Sequence, residues 1–275
     1  MPKLILGLVG SPRRFGNCEV YIKEISSYMG FDHKLELIRL PELNIMPCQA
    51  CYGCIMDNPC PHNDDMERLL GYIEKADGII IATPVYYLGA HSIFKRILDR
   101  GFLFYRYLER TFGKPCILIN IYGIKDRVGV SSQALMVFAS FLGLTIKANV
   151  YLKAALPGEV FFNKTYHKKA RKLAEIMFSE RKDMDRNGCP FCGCDIIRMK
   201  KDHFVCTLCH GKFKIDENRN PLKIKEGGIF GTPEHMFLHK KWLAGMKKQF
   251  LASRKEILRA LTPLKNMGEW VDLNP

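Results

Sequence analysis

Short apolar segments alternate with amphipathic segments over the first two thirds of the chain. Five apolar segments have the length and β-branched content of buried strands; they run from Lys3 to Val9, Leu35 to Leu40, Gly78 to Ala82, Pro115 to Ile121 and Ile146 to Leu152. Helical periodicity follows each of them, near Asn17 to Met29, Asp64 to Lys75, Ala90 to Leu108, Ser131 to Leu142 and Tyr166 to Arg181. Because strands that alternate with helices pair in parallel, this pattern predicts an α/β fold. We expect a doubly wound five-stranded parallel sheet with helices on both faces.

The pattern changes after the last of these helices. Residues 186–225 contain four paired cysteines and many basic residues but no long apolar segment, which predicts a small module stabilised by a metal. A helical pattern then runs from Thr232 to about Leu261. This helix either packs on its own chain or forms a contact in an oligomer. The sequence thus divides into a domain at 1–182, a module at 186–225 and a helical extension at 230–275.

The composition is that of a globular protein. The chain has 275 residues, 25% of them charged, and a mean hydropathy of -0.09, which excludes disordered, collagen-like and coiled-coil classes. The N-terminal apolar run ends at Val9 without a cleavage site, and no segment reaches the roughly 18 apolar residues that span a bilayer. We therefore expect a cytoplasmic protein without a membrane partner. In a reducing compartment, its 11 cysteines are expected to bind metals or to act in redox chemistry.

The formal net charge of +14 is unevenly distributed. Residues 1–150 carry 17 basic and 14 acidic side chains, whereas residues 151–275 carry 25 basic and 14 acidic ones. A basic surface favours acidic partners, either nucleic acid or a small acidic electron carrier. A solvated lysine-rich face without a partner is the alternative. The charge therefore directs attention to the C-terminal part of the chain.

A polar loop at residues 10–18 follows the first strand and precedes the first helix. The N–H groups at the start of a helix bind anions at such a position. Ser11 and Asn17 offer short polar side chains, and Arg13 or Arg14 adds positive charge. The signatures of nucleotide triphosphatases and of dinucleotide-binding folds are both missing. The loop therefore predicts a site for the terminal phosphate of a mononucleotide, although ordinary strand-to-helix turns have a similar composition.

A second segment, at residues 82–90, follows the third strand and so lies at the same edge of the sheet as the loop. Aromatic and turn residues at this place are able to hold a planar ring by stacking and backbone hydrogen bonds. Aromatic packing in an ordinary turn is the alternative.

Together the two segments resemble the FMN-binding, flavodoxin-like family of NAD(P)H-dependent reductases, whose phosphate loop is similar to Gly10-Ser11-Pro12-Arg13-Arg14-Phe15-Gly16-Asn17 here. The similarity continues through Lys95 and Asp99-Arg100. It implies a flavodoxin-like domain over 1–182 that binds FMN. It implies phosphate binding by Ser11, Arg13, Asn17 and Cys18, and contacts to the isoalloxazine ring from Pro84, Val85, Tyr86, Tyr87, Leu88, Tyr122 and Gly123. Cys18 stands where the family usually has Thr, so its backbone N–H is the donor that remains.

Four thiols lie within the segment 48–60, the cysteine loop, with the spacing C-x2-C-x2-C-x5-C. They are Cys48, Cys51, Cys54 and Cys60, the N-terminal cysteine set. Two successive x2 gaps let one loop hold three corners of a cubane, and the fourth thiolate closes it, as in ferredoxin-type runs. The spacing favours an iron-sulfur cluster, foremost [4Fe-4S], over zinc and over free or disulfide-forming thiols. We expect His62 to be an exposed loop residue rather than a ligand.

A compact cysteine loop inside an FMN domain resembles the iron-sulfur flavoproteins. The resemblance implies that the cluster takes electrons from a one-electron carrier such as ferredoxin and passes them to FMN. It also implies a homo-oligomer, a dimer or tetramer, in which the cluster of one subunit lies close to the flavin of another.

A second group of cysteines, the ribbon cysteine set, consists of two C-x2-C knuckles separated by 13 residues: Cys189, Cys192, Cys206 and Cys209. This spacing is typical of a tetrahedral zinc ribbon. Rubredoxin-like iron is the alternative, although the gap between its knuckles is usually longer. Cys194 is expected to be a spare thiol, and Lys200 and Lys201 contribute to the basic surface of the module.

The leading hypothesis is an oxidoreductase or electron-transfer flavoprotein with FMN, a [4Fe-4S] cluster and a zinc ribbon, whose chemistry resides in its cofactors. A second hypothesis is an NAD(P)H-dependent FMN or quinone reductase with a structural cysteine-metal site. A third is a basic zinc-ribbon binding protein on a degenerate flavodoxin fold. An acidic electron carrier or NAD(P)H is the expected partner, and nucleic acid is disfavoured by the phosphate loop and aromatic turn.

Overall fold

The computed structural model describes residues 2–183, 188–228, 232–265, 267–269 and 271. Its strands are β1 (Lys3–Val9), β2 (His33–Arg39), β3 (Gly78–Tyr86), β4 (Gly89–Ala90), β5 (Pro115–Tyr122), β6 (Thr145–Lys153), β7 (Ile197–Met199), β8 (Phe204–Cys206), β9 (Lys212–Ile215) and β10 (Pro221–Lys225). Its helices are α1 (Asn17–Ser27), α2 (Met66–Lys75), α3 (Ser92–Asp99), α4 (Leu108–Thr111), α5 (Ser131–Phe141), α6 (Lys164–Ile176) and α7 (Pro233–Leu261). Short 3-10 turns occur at Leu40–Glu42, Gly53–Met56, Gly101–Arg106, Glu159–Phe162 and Thr262–Leu264.

The main sheet has the strand order β2-β1-β3-β5-β6, with these five strands parallel and β4 antiparallel to the end of β3. Helices α1 and α6 cover one face, where Tyr21 and Leu173 are fully buried. Helices α2, α3 and α5 cover the other face, where Leu70, Phe94 and Phe138 are fully buried. The predicted doubly wound parallel sheet is confirmed.

The single long helix predicted from Ala90 to Leu108 is wrong. The chain forms β4, α3, a 3-10 turn and α4 in this region. The three consecutive side chains at 103–105 are all buried, whereas a continuous α-helix turns only one stripe of residues toward the core. Gly101, a poor helix former, starts the 3-10 turn that buries them. The other predicted elements are present with shifted ends, most clearly α6, which ends at Ile176.

Strands β7 to β10 form a separate antiparallel sheet in the order β10-β9-β8-β7. Cys194, Leu208 and Phe213 of this ribbon are buried in the apolar core that also covers one face of the main sheet. The ribbon therefore packs on the main domain. Three of the predicted domain boundaries, at residues 186, 230 and 275, lie outside the described residues.

Helix α7 has 29 residues and begins after Thr232, whose side chain caps it. Near its start, Met236 is almost fully buried against Ile55 of the cysteine loop. Farther along, Trp242 and Phe250 are exposed. The helix thus packs on its own chain at its beginning, and an oligomer contact through the remainder stays a prediction. In the parts of the chain that the structure describes, no helix combines the length and apolar character that a membrane crossing needs.

Candidate functional site

The loops of interest meet at the carboxyl edge of the main sheet. A polar loop follows β1, the cysteine loop follows β2, a hairpin continues β3 into β4, and a turn follows β5. The strand order places the topological switch between β1 and β3, which is where open α/β sheets bind ligands. Because adjacent strands lie about 4.8 Å apart, the loops after β1, β3 and β5 begin within about 10 Å of one another.

The polar loop leaves the sheet at Gly10, where β1 and β3 come close together. The Gly10 N–H donates a hydrogen bond to the Ala82 carbonyl at 2.7 Å. A Cβ atom at residue 10 would lie 2.6 Å from the Phe94 ring and 2.9 Å from the Ala82 oxygen. Any larger residue would therefore push the strand ends apart and move the loop.

Arg39, at the end of β2, holds the polar loop in place. Its Nη1 donates to the carbonyl oxygens of Ser11 and Arg13 at 3.1 and 2.8 Å, and its Nη2 donates to Glu19 Oε2 at 2.6 Å. Glu19 also accepts a hydrogen bond from the Phe15 N–H at 2.9 Å, and the Ser11 hydroxyl accepts one from the Arg13 N–H at 3.3 Å. Arg39 thereby fixes the backbone of the loop. The N–H groups in the first turn of α1 have no partner within the helix and are donors for an anion.

Glu19 is a buried carboxylate that keeps Arg39 oriented. Burial alone would raise the pKa of Glu19, but hydrogen bonds from Lys23 and Arg39 outweigh burial and lower that pKa to about 2. The Lys23 ammonium lies 2.6 Å away. Sequence reasoning missed both Arg39 and Glu19. The signal for Glu19 was an acidic residue in the first turn of a helix, where it can bind back to the preceding N–H groups.

Two of the predicted phosphate residues turn their side chains inward. Asn17 donates to the Leu156 carbonyl at 2.9 Å and accepts from the Val160 N–H at 3.3 Å. The Cys18 side chain is buried, and burial raises the pKa of its thiol to about 12. Both side chains are therefore engaged by the fold, and what these residues offer an anion is their backbone N–H.

The hairpin between β3 and β4 turns at Tyr87 and Leu88, which have φ angles of 47° and 66°. A two-residue hairpin turn requires such left-handed angles and usually contains Asn and Gly. The Val130 N–H donates a hydrogen bond to the Leu88 carbonyl oxygen at 2.7 Å. A Cβ atom at residue 129, which is glycine, would lie 2.1 Å from the same oxygen. A residue outside the hairpin thus stabilises its strained turn. Strained backbone that is held by its surroundings is common at functional sites.

A cavity of about 590 Å³ opens beside this turn. Most of the predicted ring-binding residues line it, and Ile124 and Arg127 line it too; the full set is Val85, Tyr86, Tyr87, Leu88, Gly123, Ile124 and Arg127. Pro84 pairs in register with Ile121 on β5, one residue before Tyr122. The structure therefore brings the two predicted segments together. Ile124 and Arg127 were missed, although they directly follow the predicted turn.

The N-terminal cysteine set lines a single cavity together with Tyr52, His62 and Arg100. Burial and the neighbouring cysteines raise the pKa of the Cys54 thiol. Within the described residues, the sulfurs of this set are not gathered within 4.8 Å of one another, as a single metal ion would require. A cubane places iron and sulfide between the thiolates and so suits a wider ring of sulfurs.

The prediction that His62 is an exposed loop residue is wrong. Its side chain is only partly accessible, and its Nε2 is buried without a hydrogen-bond partner among the described residues. An orphaned buried nitrogen beside four thiols is consistent with a site built around a bound group. The donor set, four sulfurs on one loop, fits an iron-sulfur cluster.

The ribbon cysteine set is gathered tightly, with all four sulfurs within 4.8 Å of one another. Sγ of Cys189 lies 3.6 Å from that of Cys209, and Sγ of Cys192 lies 3.5 Å from that of Cys206. Four sulfurs 2.3 Å from a tetrahedral zinc ion would be about 3.8 Å apart. The structure thus brings the four predicted cysteines together, and the geometry fits one metal ion. Cys194 is buried nearby and is not a member of the group.

Comparison with known proteins identifies the class. The sequence profile of the NADPH-dependent FMN reductases matches residues 4–156. An iron-sulfur flavoprotein of Archaeoglobus fulgidus is 31% identical over 148 residues, which cover 50% of this chain and 70% of the relative. One from Methanocaldococcus jannaschii is 33% identical over 98 residues, covering 35% of this chain and 51% of that protein. The chain therefore belongs to the NADPH-dependent FMN reductases, a family of flavin oxidoreductases, and within it to the iron-sulfur flavoproteins.

The matched segments span about half the length of the first relatives, with shares of 51, 44 and 54%. Among solved structures, a flavone reductase has a similar fold with a TM-score of 0.72 and 20% identity. That similarity covers 98% of this chain and 99% of the other. The fold similarity thus extends beyond the main domain to the ribbon and α7. Family membership favours the two enzyme hypotheses over a binding protein on a degenerate fold.

Proposed function

We propose that this protein is an oxidoreductase that binds FMN and a [4Fe-4S] cluster and couples a one-electron donor to two-electron flavin chemistry. One observation carries the proposal: the hairpin cavity and the cavity of the N-terminal cysteine set lie on loops of the same sheet edge. When bound, FMN supplies the capacity to accept electrons singly and release them as a pair, or the reverse.

The FMN phosphate is assigned to the polar loop. Ser11 and Arg13 would contact it, together with the backbone N–H groups of Asn17 and Cys18. The support is the position of the loop, whose backbone Arg39 fixes at the Ser11 and Arg13 carbonyls, directly before the N–H groups in the first turn of α1. The isoalloxazine ring is assigned to the hairpin cavity, against segments 84–88 and 122–123.

Helix α3 connects the two cavities within one chain. It begins two residues after the hairpin strand β4 and ends immediately before Arg100, which contacts Cys60 in the cysteine loop. Its eight residues span about 12 Å. A rigid helix thus sets the separation between ring site and cluster site in the subunit. In a homo-oligomer, a dimer or tetramer, a neighbouring subunit would offer a second route.

The ribbon is assigned a structural zinc ion, with rubredoxin-like iron as the alternative. Its exposed Lys200 and Lys201 belong to the basic C-terminal part of the chain and are assigned to docking of an acidic one-electron carrier such as ferredoxin. The open cavity at the fully exposed Tyr87 favours a second candidate, an NAD(P)H-dependent FMN or quinone reductase, because a nicotinamide ring has access there.

Cofactor analysis of protein purified without oxygen tests the proposal. We expect FMN, about four iron and about one zinc per chain. Cys51→Ser should lose iron and keep FMN and zinc. Cys116→Ala is the matched control, because Cys116 is buried in the core on β5, and it should keep all three. Colourless wild-type protein would overturn the proposal, and zinc in the N-terminal cysteine set would favour the second candidate.

A further inference from the structure

Arg100 is a buried cation in contact with a cysteine sulfur. Only 3% of the residue is exposed. Its Nη2 donates to Cys60 Sγ at 3.2 Å, and its Nη1 donates to Asp64 Oδ2 at 2.5 Å and to the Met46 carbonyl at 3.1 Å. The planar guanidinium therefore donates hydrogen bonds to a sulfur, a carboxylate and a carbonyl at the same time. The compact ammonium group of a lysine does not reach all three acceptors.

The position of Arg100 is fixed by Asp64. The Asp64 carboxylate accepts hydrogen bonds from the N–H groups of Met46 at 2.8 Å and Met66 at 3.1 Å. Both side chains of the Asp64 and Arg100 pair are 2% exposed. The pair thus ties the two ends of the cysteine loop together. A buried arginine held on both sides cannot turn away from the sulfur, because its charge would then lose its partner.

We propose that Arg100 is a positioning residue that raises the reduction potential of the iron-sulfur centre by donating an N–H hydrogen bond to the Cys60 sulfur. The inference rests on the proposed function. Reduction adds negative charge to a cluster and its thiolates. A hydrogen bond and a fixed positive charge at one thiolate stabilise the reduced form more than the oxidised form. Cys60 accepts its hydrogen bond from a buried cation, whereas the Cys48 sulfur accepts one from the neutral Ala50 N–H at 3.4 Å.

The test is the midpoint potential of the cluster, measured by anaerobic redox titration with electron paramagnetic resonance of the reduced state. The informative variant combines Arg100→Gln with Asp64→Asn, because two amides can bind each other and no buried charge is left unpaired. We expect iron and FMN contents equal to those of wild type and a midpoint potential shifted to more negative values.

Arg106→Gln with Glu67→Gln is the matched control, because it also replaces an arginine and its paired carboxylate by amides and leaves the net charge unchanged. Arg106 donates to the Asn58 carbonyl of the cysteine loop and, at 3.0 Å, to Glu67 Oε1 on α2, and among the described residues it makes no hydrogen bond to a cysteine sulfur. This variant should keep the wild-type potential. An equal shift in both variants would overturn the inference, because the effect would then follow the loss of any ion pair beside the loop.

Failure of the proposed function is distinguishable from failure of this inference. A wild-type protein without a cluster overturns both, whereas a wild-type cluster whose potential is unchanged in the double variant overturns the inference alone. If the double variant loses its iron, Arg100→Lys provides the same measurement, since it keeps the buried charge but not the fork. A negative shift in Arg100→Lys supports the inference, and an unchanged potential overturns it.

Discussion

The Asp195 carboxylate of the ribbon accepts a hydrogen bond of 2.6 Å from the hydroxyl of Ser132, in the first turn of α5. The hydroxyl of Tyr151 on β6 donates to the other oxygen of the same carboxylate. Immediately before α5, the Val130 N–H holds the Leu88 carbonyl at the hairpin turn. One helix start therefore connects the metal-binding ribbon to the cavity assigned to the flavin ring.

Replacing the Asp195 carboxylate should weaken the packing of the ribbon on α5 and β6. Asp195→Asn is expected to lower the free energy of unfolding by about 1–3 kcal/mol, because an amide oxygen and an amide NH2 cannot both accept from hydroxyls. Urea denaturation of the FMN-loaded protein measures it. Asp202→Asn is the control, since Asp202 is an exposed ribbon carboxylate paired with His203, and its effect should be much smaller. Equal effects would contradict the assigned role.

Glu19 should make the protein sensitive to acid. Its pKa is lowered to about 2 in the folded state, so its contribution to stability is full above the unfolded pKa of about 4.5 and is lost as the pH falls toward about 2. Glu19→Gln should therefore show a shallower loss of thermal stability than wild type as the pH is lowered below about 4.5. Glu42→Gln, which removes a more exposed partner of Arg39, should retain the wild-type slope. Parallel curves for wild type and Glu19→Gln would exclude this role.

The left-handed backbone at Leu88 should lower the stability of the FMN-free protein, whereas the Leu88 side chain should favour FMN binding. Leu88→Asn is expected to raise the free energy of unfolding of the FMN-free protein by about 1 kcal/mol, because Asn tolerates a positive φ. FMN affinity should fall, since the Leu88 side chain lines the cavity. Denaturation of the FMN-free protein and fluorescence titration with FMN measure the two effects. Gly129→Ala, which places a Cβ against the Leu88 carbonyl, should lower both stability and affinity. Unchanged FMN affinity in Leu88→Asn would argue against the ring assignment.

The dependence of kcat/KM on ionic strength tests whether the electron donor is an acidic carrier that binds the ribbon. Lys200→Glu with Lys201→Glu should reduce kcat/KM for a reduced acidic ferredoxin at low ionic strength, and the difference from wild type should shrink as salt is added. Turnover with NADPH should be unaffected. The control is Lys164→Glu with Lys168→Glu, an equal charge change at exposed positions of α6. Equal losses in the two charge variants would assign the effect to net charge rather than to docking by the ribbon.

Features that are local in sequence were predictable. Both cysteine sets follow from spacing, because ligands of one centre lie on one loop or on paired knuckles. The polar loop and the hairpin follow from their place after strands. The parallel sheet with helices on both faces follows from the alternation of apolar and amphipathic segments.

Contacts between distant residues were not predictable. The bonds from Arg39 to Glu19, Arg100 to Cys60 and Ser132 to Asp195 join residues 20, 40 and 63 positions apart. Periodicity and local spacing carry no information on such pairs. Asn17 illustrates the same limit, because its side chain binds a carbonyl 139 positions away rather than remaining free at the loop.

The start of α7 lies against the cysteine loop although the two are far apart in the chain. Lys240 and Asp57, which pair at 2.5 Å, are separated by 183 residues, and Met236 packs beside Ile55. Part of the cover over Ile55 therefore comes from a helix that is synthesised long after the cysteine loop. The loop reaches its final packing only when α7 has formed, so the site assigned to the cluster depends on residues from two distant parts of the sequence.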